Sequence, residues 1–313
     1  MKVTLIIGAH RCATQSFLGY VGSNRAALDR LGIAVWGPEA LRGGLIHGLT
    51  PHRGPVFRRD PVRRATGRIR LRMRAEAERG VRHLLVCDPE LLGGLRDTLA
   101  AGALYPGAGQ RLARLWQGFG DCVGEVAVTI RGQDRYWPSL LAVMVGRGHA
   151  LPASARRDAM ARSNRSWRDV IADVACAMPR AQVRVYPFET FAGRPELLLS
   201  ALTGFSAPKR AARERLNPAP NLDELRAVVT ADVAAALPPG TGRWAPFDAF
   251  QLAALREAYA DDLMWLAGGA DGLALLADDP NKTRPGANPG VDGMTRGRRN
   301  DDEESRMAKA RRG

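Results

Sequence analysis

Residues 2–17 read KVTLIIGAHRCATQSF. Val3, Leu5 and Ile7 alternate with Thr4 and Ile6, and the run is almost wholly apolar. This is the pattern of a short strand buried on both faces of a parallel sheet. Gly8 ends the run, residues 9–15 are small and polar, and a helical pattern opens at Ser16. A strand, a tight loop and a helix N-terminus in that order make an anion site, because the loop and first-turn amides lack partners and the helix dipole adds positive charge. Arg11 contributes a full charge from the loop, and Thr14 and Ser16 contribute hydroxyls.

Four further apolar runs continue the pattern, at residues 32–37, 81–88, 125–131 and 181–189. Helical periodicity lies between and after them: from 16, around 25–31, over 68–79, 110–116, 139–145 and 165–178, and over 247–266 with Leu252, Leu255, Tyr259, Leu263 and Leu266 on one face. Strands alternating with helices predict an α/β domain over residues 1–277, built on a central parallel sheet of about five strands flanked by helices. Residues 40–66 read as a long basic loop with one short helix. From 278 to 313 apolar residues almost vanish, which predicts a disordered, dispensable tail.

The loop lacks the second glycine and the lysine of G-x-x-x-x-G-K-[ST], so it is not a Walker A loop, and a P-loop kinase or NTPase is disfavoured. Residues 10–17 do resemble the 5′-phosphosulfate-binding loop of sulfotransferases, P-K-S-G-T-T-x-L. Arg11 stands for the lysine and Thr14 for the first threonine, with His10 for Pro, Ala13 for Gly and Gln15 for Thr. In that family an Arg at a strand's end and a Ser on the next helix, eight residues on, hold the donor's 3′-phosphate. Arg131 and Ser139 lie eight residues apart after the fourth predicted strand. Asp88-Pro89-Glu90 is similar to an acidic tripeptide of bacterial members.

The resemblance implies a P-loop-like fold, 3′-phosphoadenosine 5′-phosphosulfate (PAPS) as co-substrate, and transfer of its sulfuryl group to an acceptor hydroxyl. It places Arg11, Cys12, Ala13, Thr14, Gln15, Ser16, Arg131 and Ser139 on the donor, with Arg11 also stabilising charge on the leaving oxygen. For the base it offers Glu39, soon after the second strand, and Glu90 equally, then Asp88, with His10 as an outsider. Phe188 is either core or a contact to adenine. A non-catalytic nucleotide-binding module of the same fold is the alternative.

Composition sets the remaining bounds. The chain has 313 residues, 45% of them hydrophobic, and a net charge of +14 carried almost entirely by arginine. That charge suits anionic partners, including an anionic acceptor or a membrane surface, although arginine-rich, lysine-poor usage also follows from a GC-rich genome. No nucleic-acid motif accompanies it. Cys12, Cys87, Cys122 and Cys176 show no C-x-x-C spacing, so neither zinc nor a disulfide framework is expected. With no apolar run of about 18 residues and no leader-like start, the expectation is a cytoplasmic protein without a transmembrane span.

Overall fold

The computed structural model describes residues 1–50 and 60–278. All five expected runs form strands: β1 (Lys2–Ile6), β2 (Ile33–Trp36), β3 (His83–Cys87), β4 (Val123–Ile130) and β5 (Gln182–Pro187). A sixth, β6 (Leu275–Leu276), extends the sheet at its edge beyond the expected strands. It is two residues long, too short to carry a period-2 signal. All pairings are parallel, in the order β2-β3-β1-β4-β5-β6.

The central strands are buried on both faces, as a parallel sheet requires. Along β1, Val3 and Leu5 belong to one apolar cluster and Ile6 to the other; along β4, Val126 and Val128 face one way and Ala127 the other. Helix Thr14–Ser23 (through Phe17, Tyr20 and Val21) and helix Pro195–Thr203 (through Leu198, Leu199 and Leu202) cover one face. Helices Pro61–Glu78, Ala108–Phe119, Gln133–Gly146, Trp167–Ala177 and Ala249–Ala267 cover the other. Trp167, Val170, Ile171 and Val174 are core, as their spacing predicts. Met1–Ala277 forms one compact unit. No helix among the described residues is long and apolar enough to cross a membrane.

Helix starts differ from expectation where a local start signal outweighs composition. The basic helix begins at Pro61 rather than 68, because Asp60 accepts from the Arg63 amide and Pro61 supplies a preset φ at the first helical position. Residues 40–50 hold a helical turn ending at Ala40 and a wide turn, Leu41–Leu45. The rest of the expected loop at 51–59, and the expected tail beyond Asp278, lie outside the described residues. Helix Leu222–Val228, not expected from the sequence, is started by a reciprocal box in which the Asn221 side chain accepts from the Glu224 amide and Glu224 accepts from the Asn221 amide.

The strand order fixes where a crevice opens at the sheet's edge. The chain leaves β1 toward β2 on one side and leaves β4 toward β5 on the other. Neighbouring strands whose connections diverge open a crevice beyond their carboxyl ends. Residues 8–16 and Arg131 both lie there.

Candidate anion-binding cleft

Past Ile6 the chain stays laddered to β4: the Ile7 and Ala9 amides donate to the Ala127 and Thr129 carbonyls, both at 2.9 Å. Gly8 permits this approach, since a Cβ there would lie 2.2 Å from Thr129 Oγ1. The loop then folds through left-handed conformations at Arg11 (φ 64°) and Ala13 (φ 60°). Ala13 stands where the sulfotransferase-like pattern has Gly, and it takes the conformation that glycine adopts freely. The departure from the pattern is therefore carried as backbone strain of about 1–3 kcal/mol. Among the described residues, the amides of residues 11–16 make no hydrogen bond of good geometry. No acidic side chain occupies the first turn of helix Thr14–Ser23, and no side chain caps it.

Around this loop is a cleft of about 800 Å3. Eight arginines line it, against three carboxylates, Glu90, Asp134 and Glu214. Two stretches far apart in sequence meet at its centre. Arg131 Nη1 donates to the Arg11 carbonyl at 2.8 Å, and Arg11 Nε donates to Ser139 Oγ at 3.1 Å. The Arg131 guanidinium lies over the Phe188 ring, 4.3 Å from its centroid. Its Nε is buried with no partner among the described residues. Burial pushes both arginines down from their usual proton affinity, and for Arg11 the neighbouring Arg131 and Arg147 push further. A guanidinium stays charged regardless, so this is a desolvated cationic centre with donors to spare.

The surroundings hold these groups in place. Arg131's own carbonyl accepts from Trp167 Nε1 at 2.8 Å. Glu189 clamps the start of the next helix, accepting from the Gly132 amide at 2.9 Å and from the Tyr259 hydroxyl at 2.7 Å. Residues 216–217 close over the loop: the Leu216 amide donates to Ser16 Oγ at 2.9 Å and Arg11 Nη2 donates to the Asn217 carbonyl at 3.0 Å. The Cys12 thiol is buried, and burial raises it to about 12, so it is not a thiolate nucleophile. Phe188 packs against the core and also lines the cleft.

The cleft brings together the loop residues Arg11, Cys12, Ala13, Thr14, Gln15 and Ser16 with Arg131 and Ser139. The three carboxylates expected as the base, Glu39, Glu90 and Asp88, part company. Asp88 is buried and consumed: Arg42 donates to it through Nε at 2.8 Å and Nη2 at 2.5 Å, and the Glu90 amide donates to it at 2.9 Å. Glu39 is exposed and does not line the cleft. Glu90 lines it, half-exposed, 3.9 Å from Arg42. Sequence reasoning missed Arg42, Tyr105, Arg147, Arg243 and Trp244. They come from loops and helix ends, and nothing in their local pattern marks them. Among the described residues no group of three or more His, Cys, Asp or Glu could hold a metal. No family model, no curated protein and no solved structure matches the chain.

Proposed function

We propose that the chain is a sulfotransferase that moves a sulfuryl group from PAPS to an acceptor hydroxyl. One observation carries this. At the switch point of the sheet Arg131 donates to the Arg11 carbonyl and Arg11 donates to Ser139, which joins the stretches that resemble the 5′- and 3′-phosphate sites of that family.

The residues present fit such a donor. The buried, unpartnered Arg131 Nε, the free loop amides and the arginine excess suit a ligand with two separate anionic groups. The volume falls within the usual range for small-molecule sites. PAPS supplies an activated sulfuryl group. The chain supplies the rest. Arg131 and Ser139 hold the 3′-phosphate end and so fix orientation. Arg11 and the amides of residues 13–16 face the leaving phosphate, where charge grows as the bond to sulfur breaks. Glu90, the carboxylate that lines the cleft at the end of β3, takes the acceptor's proton as the new bond forms.

A second reading is favoured by one fact: of the three carboxylates expected as base, only Glu90 lies in the cleft. A non-catalytic nucleotide-binding module would need none. The test is a titration with 3′,5′-adenosine bisphosphate and with adenosine 5′-monophosphate, followed by an acceptor screen with labelled PAPS. Preferred binding of the bisphosphate with label transfer supports the enzyme. Binding without transfer to any acceptor supports the module, and no binding removes both.

A further inference from the structure

His10 sits inside the anion loop and lines the cleft, yet its proton is not free to choose a nitrogen. The rings of His10 and Tyr105 stack, 5.9 Å apart at 12°. The Tyr105 oxygen accepts from the His10 amide at 2.7 Å and lies 3.0 Å from His10 Nδ1 and 3.1 Å from the Tyr136 hydroxyl. Both tyrosines are fully buried, so each hydroxyl proton needs an acceptor within this group.

Counting protons leaves one arrangement with every donor satisfied. The Tyr136 hydroxyl donates to the Tyr105 oxygen, and the Tyr105 hydroxyl donates to Nδ1. If Nδ1 carried the proton instead, it would donate to Tyr105, Tyr105 would turn to Tyr136, and the Tyr136 proton would be stranded. A stranded buried donor costs about 1–3 kcal/mol. His10 Nε2 has no partner among the described residues and is not sealed from solvent, so it opens on the cleft.

We propose that Tyr136 and Tyr105 are positioning residues that lock His10 as its Nε2–H tautomer, making it a neutral hydrogen-bond donor to the anion held by the loop and not a base. The first half rests on geometry alone; the second rests on the anion-binding role proposed above. The ring's neutrality fits the surroundings. Burial lowers the imidazole to about 4, Asp88 opposes this, and Arg42, Arg11 and Arg147 reinforce it. A neutral N–H in that place adds a donor without adding a further repelling charge. Tyr105 is held in turn by Arg165, which donates to the carbonyls of Leu104 and Tyr105.

The test uses full-length protein labelled with 15N in its histidine rings, at pH 7. The His10→Asn variant identifies the His10 signals by their loss. The expected wild-type pattern is a protonated Nε2 and an unprotonated Nδ1; the reverse, or an even mixture, overturns the proposal. Tyr105→Phe should move the pattern toward a mixture, whereas an unchanged pattern in a folded variant shows that Tyr105 does not set it. Because this variant strands the His10 amide, the wild-type spectrum stands as evidence without it. Titration with inorganic sulfate and with 3′,5′-adenosine bisphosphate should then shift Nε2 and leave Nδ1 protonation unchanged. If neither anion moves Nε2, the donor role is wrong. If sulfate moves it and the bisphosphate does not bind, the donor role stands and the sulfotransferase assignment falls.

Discussion

The ends of β1 and β3 lie side by side at the carboxyl edge of the sheet, and they are built in opposite ways. After β1 the chain spends backbone strain at Arg11 and Ala13 and leaves its amides facing the cleft. After β3 the chain closes on itself. Asp88 takes two hydrogen bonds from Arg42 and one from the Glu90 amide, and its carbonyl accepts from the Leu91 amide. One turn leaves its donors open and the other uses up its strongest acceptor. The edge as a whole is therefore a receiver of negative charge, and Glu90 is the one acidic side chain at the end of β3 still turned to the cleft.

The sharpest way to break this contrast is at Glu90. Glu90→Gln should lower kcat about 10²–10⁴-fold and leave bisphosphate affinity unchanged, because a base acts in the transfer and not in holding the nucleotide. Glu39→Gln, outside the cleft, should change neither. Normal turnover in Glu90→Gln, measured with a confirmed acceptor, would remove the carboxylate base.

On the β1 side, Arg131→Ala should weaken the bisphosphate about ten- to a hundredfold, as expected for losing one charge-assisted contact. Adenosine 5′-monophosphate should be weakened much less. Equal losses by calorimetry would mean that Arg131 serves only to prop the Arg11 carbonyl.

His10 gives the contrast a pH signature. Its folded value is about 4 against 6.5 for the free side chain. The unfolded chain therefore binds the proton first, and stability is lost as pH falls from about 6.5 toward 4. At pH 5 the loss is about 2 kcal/mol relative to pH 7. Urea unfolding of wild type and His10→Asn at the two pH values should differ by that amount, and parallel behaviour would show that the ring is not desolvated.

The smaller effects concern stability alone. Asp88→Asn keeps the shape of the β3 turn but removes the negative charge facing Arg42 and turns an amide NH2 toward one of its donors, and it should cost about 1.5–3 kcal/mol. Ala13→Gly should do the reverse at β1, gaining about 1 kcal/mol by relieving the left-handed strain. A lower melting temperature for Ala13→Gly would show that the alanine methyl packs better than its backbone suffers.

The sequence showed the parts of this contrast that are local. Runs such as Val3–Ile7 and the β4 segment are apolar on both faces, so burial itself wrote the strands into the chain. The loop was legible for the same reason, since strand, small residues and helix follow within a few positions. The pairing of Arg131 with Ser139 was legible only through a resemblance, because an Arg and a Ser eight apart carry no physical signal. What could not be read were contacts made across the fold. Tyr105 lies in ALYPG, an ordinary turn sequence, and reaches His10 from 95 residues away. Asp88 reads in sequence as a strand-end carboxylate, and the Arg42 that pairs with it comes from a turn with no regular period. β6 is simply too short to announce itself.

Arg11 and Arg131 share one hydrogen bond and are largely withdrawn from solvent, so the chain must press like charges together every time it folds. That makes the solution a working part of the molecule. Multivalent anions that enter the cleft should act as folding reagents, each raising the melting temperature by an amount set by its affinity. Ranked by that rise, a shelf of simple anions would read out the shape of the charge the cleft was built to receive.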